Sequence, residues 1–411
     1  MKKLLGITLG IMTALGGFVD LGQIVFTTQA GALFGYQLLW SIVLGTAGII
    51  LYMEMCGRVA VVAREPVFAV VRDRLPKPLA IFTLIASNLL NLITCAAELA
   101  GIAIVVHLLT GIPEKLLMVG TTVLLALVIF LCRFQWIERI FGLSGLMMIV
   151  FAVAAVMLHP DWSRLAQGLV PVIHPSRPGS GLLYAYFAIG IFSAMLMEYE
   201  VHFYSSGAIE EDWKPEDLGE NFMVASLGSI LGSLLTIGLL VLGAIVFLPR
   251  HIFPDLLSSS IMTVAFPLAQ KALVIALFGT LACVAGAAVE TALSGAYNLC
   301  QYLNLPWGKS VPPKQAPVYT ASWLAMFALA LGLALSGIRP LQLVNFSIVF
   351  GMAIMPFTYY PILRVAADKN VMGEHANSKL VTILGIVFLG LIFIAAVASF
   401  PLMILTHSGQ P

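Results

Sequence analysis

Residues 16–26 read Gly-Gly-Phe-Val-Asp-Leu-Gly-Gln-Ile-Val-Phe and place Asp20 in the middle of an apolar stretch that begins at Leu4. A carboxylate at that depth in hydrocarbon costs about 2.5–3.5 kcal/mol on insertion scales. Because Gly22 is a weak helix former, the sequence predicts that the helix opens there and frees carbonyl groups beside the carboxylate. A second segment has a similar polar centre, Met197-Glu198-Tyr199-Glu200-Val201-His202. Two interrupted segments in corresponding halves of a membrane protein predict an ion-binding site near the midplane.

The composition is that of a membrane protein. Of the 411 residues, 60% are hydrophobic and 10% are charged, whereas an average soluble domain has about 25% charged residues. The net charge of +1 gives no indication of a nucleic-acid partner, and no nucleotide-binding loop indicates the use of ATP. The five cysteines lack paired spacing, so neither a disulfide scaffold nor a zinc site is expected. No nucleophile–base pair or cofactor motif points to an enzyme.

A membrane-spanning helix needs about 20 mostly apolar residues. Eleven segments qualify: 5–30, 33–56, 78–109, 115–132, 139–158, 181–206, 220–248, 266–302, 317–337, 341–363 and 379–404. The sequence thus predicts an all-α integral membrane protein whose residues 1–411 form one transporter domain. Residues 5–158 and 181–363 are interpreted as two five-helix repeats, each opening with an interrupted helix (the first and the sixth), and 379–404 as an extra helix.

The distribution of Lys and Arg predicts the orientation. With a cytoplasmic N-terminus, the inner loops carry most of the basic residues, including Lys2, Arg58 and Arg364, whereas fewer lie outside, such as Arg339. An odd number of spans then puts the C-terminus outside, and the inner membrane is the expected location. The first apolar segment is expected to be a retained helix, because no small-x-small cleavage site closes it.

Seven ionisable residues are predicted to lie within the membrane: Asp20, Glu54, Glu98, Glu198, Glu200, His202 and Glu290. The sequence offers no embedded Lys or Arg to pair with them, and ionisable residues at this depth usually face a cavity or a partner. A bound divalent cation would supply the missing charge. The pattern therefore favours a cation as substrate over an anion, a sugar or an amino acid.

Individual roles follow from side-chain chemistry. Asp20 is the predicted direct metal ligand, with a helix-breaking residue bonded to nearby backbone as the alternative. Gln23 either brings its amide oxygen to the same turn or only lines a vestibule. Met197 offers a thioether, which favours transition metals, or serves as packing. Glu198 and Glu200 would diverge on a regular helix, so one is expected near the ion and the other at a vestibule or hydrogen-bonded inside the bundle.

Glu200 and three further residues are candidates for a gate or a proton path. His202 has that role or lines the exit as a polar side chain. For Glu98 and Glu290, a role in ion or proton transit stands against a structural hydrogen bond inside the bundle.

Several stretches resemble the natural-resistance-associated macrophage protein (Nramp) family of divalent metal transporters, along nearly the whole chain. They are Met355-Pro356-Phe357 with Pro361-Ile362-Leu363-Arg364, Ala30-Gly31-Ala32 with Phe34-Gly35-Tyr36, and Ala97-Glu98-Leu99-Ala100-Gly101 with Thr110-Gly111-Ile112-Pro113. The resemblance implies two inverted five-helix repeats, as in the sodium-coupled amino acid transporters. It also implies proton-coupled import of manganese or ferrous iron.

The family's metal site combines an Asp-Pro-Gly-Asn motif in segment 1 with a Met-Pro-His motif in segment 6. In this chain the corresponding residues are Asp20-Leu21-Gly22-Gln23 and Met197-Glu198-Tyr199. The resemblance implies that Ala194, one turn before Met197, contributes its carbonyl group as a ligand. It also puts Tyr199 in the position of the family's His, as a gate or proton-path residue.

The chain departs from this pattern at several positions. Both prolines are lost, Cys95 stands where the family has a proton-path Asp, and the basic pair expected near Thr320 is absent. These departures give proton coupling little support, and they are similar to those of related branches that carry magnesium. Those branches usually lose the Met that this chain keeps at Met197, so Mn²⁺ is favoured and Mg²⁺ comes second.

The sequence thus predicts a carrier that moves Mn²⁺ or Mg²⁺ into the cytoplasm by alternating access, with metal as substrate and no cofactor. Asp20, Gln23, Met197 and backbone carbonyls near Phe18 and Ala194 would form the site, and Glu198 would add charge. Two alternatives remain: a transporter of the same fold for an organic substrate such as an amino acid, and a membrane receptor or scaffold that does not transport.

Overall fold

The computed structural model describes residues 19–172 and 180–410, and within these ranges every regular element is a helix. In chain order the α-helices are α1 Leu21–Phe34, α2 Leu39–Ala63, α3 Val67–Arg74, α4 Lys77–Thr110, α5 Glu114–Leu131, α6 Phe134–Gly145, α7 Ile149–Met157, α8 Trp162–Gln167, α9 Ser180–Ala194, α10 Glu198–Glu210, α11 Leu218–Val246, α12 Leu257–Met262, α13 Ala265–Tyr302, α14 Pro317–Leu335, α15 Pro340–Ala366, α16 Lys369–Met372 and α17 Lys379–Leu405. A 3₁₀ turn at Leu146–Met148 joins α6 to α7.

Within the described ranges, ten helical stretches are long and apolar enough to cross a membrane, with α6–α7 and α9–α10 counted as one stretch each. Each predicted span from 33–56 onward has a counterpart among them, so the predicted all-α membrane fold is confirmed. The first predicted span, 5–30, is described only from Val19, and its earlier part, including Phe18, lies outside the described residues. The predicted polar connection 57–77 instead holds the end of α2 and the short helix α3.

Helices α1 and α11 pack closely in the interior. A β-carbon at Gly31 would overlap with the backbone of α11, and one at Gly243 would overlap with the backbone of α1. Glycine at both positions therefore lets the two backbones approach, as small residues do at membrane helix interfaces. This contact brings Thr236, in the middle of α11, to the first turn of α1.

Helix α4 contacts α13, α14 and α15, and it also touches the start of α1. Its inner residue Glu98 is 1% exposed. The central part of the protein is therefore formed where α1, α4, α10, α13 and α15 meet.

Candidate metal site

The first break lies immediately before α1. Asp20 has extended backbone angles, φ −78° and ψ 178°, and its side chain caps the helix by accepting a hydrogen bond from the Gln23 N–H at 2.7 Å. Aspartate is a preferred N-cap residue because its carboxylate satisfies a free N–H of the first turn. A β-carbon at Gly22 would lie 3.0 Å from Asp20 Oδ1, so glycine leaves room for the carboxylate to fold back. The helix begins here without the proline of the family motif.

Glu98 completes this helix start from α4. Its carboxylate accepts a hydrogen bond from the Leu21 N–H, at 3.1 Å to Oε1 and 3.4 Å to Oε2. The first N–H groups of a helix have no partner within the helix, and negative groups at this end also complement the helix dipole. Two buried carboxylates, Asp20 and Glu98, therefore hold the beginning of α1.

The second break separates α9 from α10. Helix α9 ends at Ala194 and α10 begins at Glu198, with Met197 as its N-cap at φ −55° and ψ 122°. The Leu196 carbonyl, released by the break, accepts a hydrogen bond from the Tyr359 hydroxyl at 2.7 Å. The predicted interruption at this segment is therefore present, and it exposes backbone oxygens inside the bundle.

Gln23 joins the two breaks. Its Nε2 lies 3.2 Å from the Ala194 carbonyl oxygen and 3.2 Å from Met195 Sδ. Its Oε1 accepts a hydrogen bond from the Thr236 hydroxyl at 2.8 Å. In this arrangement the amide bridges α1, α9 and α11, and the predicted ligand Ala194 is its direct partner.

Tyr199 forms the second connection between the breaks. Its hydroxyl donates a hydrogen bond to Asp20 Oδ2 at 3.1 Å, and its own carbonyl accepts one from the Ser294 hydroxyl at 3.0 Å. The residue that stands in the position of the family's His thus contacts the predicted metal ligand directly. Tyr199 is fully buried, and Asp20 is 4% exposed.

Two methionines flank the second break. The Met197 sulfur lies 3.8 Å from where a β-carbon at Gly351 of α15 would be. The Met195 sulfur is the one that approaches Gln23, although only Met197 was singled out from the sequence. Both are almost completely buried, and the Met195 thioether is the one with a described contact to the first broken segment.

Glu198, the first residue of α10, contacts two other helices. Its Oε2 accepts a hydrogen bond from the Thr358 hydroxyl of α15 at 3.2 Å, and Ser87 of α4 also lies beside it. Its role as a charge near the ion remains a prediction. The structure shows that its carboxylate is held between α4 and α15.

The remaining predicted gate residues, Glu200, His202 and Glu290, are fully or almost fully buried. Glu200 lies within electrostatic range of Glu290 on α13. The His202 ring packs edge-on against Phe68, with centroids 5.0 Å apart. Among the described residues, neither carboxylate has a hydrogen-bond partner, nor does either His202 ring nitrogen. Glu200 and Glu290 are therefore a second pair of buried carboxylates, whereas His202 packs against α3.

Glu54 differs from the prediction that embedded acids lack a basic partner. Arg58, one turn later on α2, makes a two-pronged ion pair with it, at 2.7 Å from Nε and 2.9 Å from Nη2. Arg58 also donates to Asn377 Oδ1 at 2.7 Å. A spacing of four residues on a helix brings such charges together, so Glu54 belongs to a structural network.

A cavity of 470 Å³, which we call the vestibule, leads toward the first break. Asp255 and Arg339 lie at its exposed end, and Leu21 and Val25 of α1 line its buried end. The vestibule therefore reaches the residue next to Asp20 from the face that carries Arg339, the predicted outer face.

On the opposite face, hydrogen bonds surround Glu210, the last residue of α10. Its carboxylate accepts from the Tyr297 hydroxyl at 2.6 Å and from the backbone N–H groups of Lys309 and Ser310. Burial lowers the pKa of the Lys309 ammonium, and the nearby Glu210 carboxylate opposes that shift. These contacts attach the loop 303–316 to α10 and α13.

The junction could hold a hard or borderline cation only if uncharged oxygen or sulfur atoms act as ligands together with the Asp20 carboxylate. Within the part of the chain that the structure describes, no three His, Cys, Asp or Glu side chains are grouped to hold a metal ion. A cation at Asp20 would thus depend on the Ala194 carbonyl, the Gln23 amide and a thioether. Of these groups, the Gln23 amide and the Ala194 carbonyl are in contact with each other, and the Gln23 backbone N–H donates to Asp20 Oδ1.

The sequence did not indicate Thr236, Tyr359 or the hydrogen bond from Leu21 to Glu98. Thr236 follows Gly228 and Gly232 at steps of four, so it continues the small-residue stripe of α11, and this spacing was a usable signal. Tyr359 and Glu98 act through backbone groups of distant segments, and only the packed structure brings those groups together.

A family model and a similar protein both relate this chain to divalent metal transporters. The family model described as natural resistance-associated macrophage protein-like matches residues 10–401. The divalent metal cation transporter MntH of Agrobacterium fabrum is 24% identical over 374 residues, which is 87% of this chain and 78% of that protein.

Two solved structures share the fold. The Eremococcus coleocola manganese transporter superposes with a TM-score of 0.75 at 19% identity, covering 98% of this chain and 87% of its own. MhsT in complex with L-phenylalanine gives 0.62 at 16% identity, covering 99% and 98%. Since the family model spans almost the whole chain, the protein belongs to the Nramp family.

Proposed function

We propose that this protein is a secondary transporter that moves a divalent metal ion, Mn²⁺ before Mg²⁺, across the inner membrane into the cytoplasm by alternating access. The main support is the meeting of Asp20, Gln23 and the Ala194 carbonyl at two helix breaks. Family membership and the name of the A. fabrum relative support the substrate class. The shared fold with the E. coleocola manganese transporter supports manganese.

Charge supports a cation over an amino acid. Five carboxylates and one histidine are buried in the described part of the chain. No Lys or Arg of this part is buried with them. An amino acid brings its own carboxylate, which would be repelled by Asp20 and Glu98 unless a cation accompanied it. The fold alone does not decide, because MhsT holds L-phenylalanine in the same architecture.

The uneven access to the site supports alternating access. The vestibule reaches Leu21 from one face, whereas on the other the hydrogen bonds of Glu210 and of Arg58 link helices to neighbouring loops. Transport would require these contacts to open while the vestibule closes. The N-terminus would be cytoplasmic and the C-terminus outside.

Transport without obligatory proton coupling is part of the proposal. Cys95 occupies the position of the family's proton-path Asp, and its thiol is directed at the Ala288 carbonyl of α13, 3.7 Å away. A thiol in this position does not carry protons as a carboxylate does.

Uptake into proteoliposomes tests the proposal, with Mn²⁺ and Mg²⁺ supplied separately and a pH indicator trapped inside. We expect saturable entry of Mn²⁺, competition by Mg²⁺ and a constant internal pH. Flux of neither ion would contradict metal transport. Acidification in step with metal entry would instead show proton coupling. A mixture of amino acids should not inhibit Mn²⁺ uptake. This result would distinguish a metal transporter from a transporter of amino acids.

A further inference from the structure

The first residue of α1 carries a buried N–H group that needs an acceptor. Leu21 is 2% exposed, and an unpaired buried donor costs about 1–3 kcal/mol. A proline at this position, as in the family motif, would have no N–H. Leucine therefore creates a requirement that another residue must meet.

Glu98 meets that requirement, and the contact is more than a single hydrogen bond. Both of its oxygens face the Leu21 N–H, at 3.1 and 3.4 Å. One turn later on α4, Gly101 lies against the Leu21 side chain. Leu21 is thus held on α4 through its backbone and its side chain together.

Because Glu98 accepts from Leu21, the Asp20 oxygens accept hydrogen bonds from other residues. Oδ1 of Asp20 accepts from the Gln23 N–H, and Oδ2 accepts from the Tyr199 hydroxyl. The Asp20 carbonyl accepts from the Ile24 N–H at 3.1 Å. Because Glu98 takes the Leu21 donor, the Asp20 carboxylate keeps the orientation that joins α1 to α10.

We propose that Glu98 is a positioning residue of the metal site, which fixes the start of α1 and thereby the orientation of Asp20 through the Leu21 N–H. In this role, the hydrogen bond from Leu21 to Glu98 restrains the backbone where the family motif has a proline. The functional consequence rests on the proposed transport of metal, whereas the structural consequence does not.

The positioning role differs measurably from proton transfer. Glutamine at 98 would keep an acceptor oxygen at the same distance along the side chain, but it cannot release a proton. Alanine at 98 would remove both. Glu98→Gln should therefore retain Mn²⁺ uptake with KM within about 3-fold, whereas Glu98→Ala should raise KM by about 10-fold or more with a smaller change in maximal rate.

A double-mutant cycle with Leu21→Pro tests the partner. Because proline removes the donor, Glu98→Ala should change KM by less than about 3-fold in the Leu21→Pro background. An equal effect of Glu98→Ala in both backgrounds would overturn the proposal. So would a loss in Glu98→Gln as large as that in Glu98→Ala.

Hydrogen exchange of the purified full-length protein gives a readout that does not depend on transport. In Glu98→Ala the amides of residues 21–24 should exchange at least about 10-fold faster, whereas Cys95→Ala, one turn earlier on α4, should leave them unchanged. Unchanged exchange in Glu98→Ala would overturn the proposal, even if Leu21→Pro does not fold. A wild-type protein that moves neither ion but shows this exchange pattern would refute the transport function alone.

Discussion

The two helix breaks at the site are held by different chemistry. At the first, buried carboxylates of Asp20 and Glu98 accept the free N–H groups of α1. At the second, neutral donors meet free carbonyl groups: Gln23 faces the Ala194 oxygen and Tyr359 bonds the Leu196 oxygen. At the first break the free N–H groups therefore meet negative charge, whereas at the second the free carbonyl groups meet neutral donors and the Glu198 carboxylate is bonded to Thr358.

In the proposed metal site, this difference would give the two breaks separate tasks. Charge attracts any divalent cation, since Coulomb energy does not depend on ligand softness. Carbonyl and thioether groups select among cations by size and softness. Changes at the first break should thus affect all ions, and changes at the second should affect the preference between them.

The largest effect is expected for Asp20→Asn. Loss of a direct ligand should reduce Mn²⁺ and Mg²⁺ uptake alike by at least about 100-fold, because even outer-shell partners contribute 10–100-fold. Tracer uptake by proteoliposomes measures this. Asp161→Asn removes an exposed carboxylate that caps α8 and should transport normally. Retained uptake in Asp20→Asn would show that transport does not need the Asp20 charge at the first break.

A smaller effect is expected for Met197→Ala, and it should concern selectivity. Removing the thioether should lower the preference for Cd²⁺ over Mg²⁺ by about 10-fold and leave Mg²⁺ uptake nearly unchanged. Competition of Cd²⁺ and Mg²⁺ against Mn²⁺ uptake measures it. Met195→Ala is the matched variant: if it alone changes the preference, the selective thioether is the one beside Gln23.

Tyr199→Phe tests the direct link between the breaks. The variant removes the hydroxyl that donates to Asp20, and a hydrogen bond to a charged group contributes about 1.5–3 kcal/mol. In the proposed site the hydroxyl keeps orienting the carboxylate after the ion binds, so losing about 1 kcal/mol of that support should raise KM for Mn²⁺ by about 5-fold. An unchanged KM would show that Asp20 does not need this support.

The smallest effect is expected for Thr236→Val, which deletes the donor to Gln23 Oε1. A neutral hydrogen bond contributes about 0.5–1.5 kcal/mol, which corresponds to a KM change of about 3-fold. Ser233→Ala, one turn earlier on α11 and without a contact to Gln23 in the described structure, serves as the control. A loss beyond 30-fold would mean that α11 contributes a ligand of its own.

The sequence predicted the features that follow from the free-energy cost of burying a charged or polar group in an apolar segment. Asp20 and the break at Met197 were found because polar groups interrupt apolar segments. The direction of Glu198 was not predictable, since its partner Thr358 lies 160 residues away. For Glu98 the sequence analysis included a structural hydrogen bond as an alternative, but its partner could not be named, because it is the backbone N–H of a distant segment. Pairing of Glu54 with Arg58 was visible in the spacing of four residues and was overlooked.

The most direct test of the two-break site is the position of the ion itself. Crystals of the protein with Mn²⁺ should give one strong anomalous peak about 2–2.6 Å from an Asp20 oxygen and from the Ala194 carbonyl oxygen, with a methionine sulfur completing the shell. The peak should vanish in Asp20→Asn. A peak between Glu200 and Glu290 instead, or one that survives in Asp20→Asn, would contradict the account.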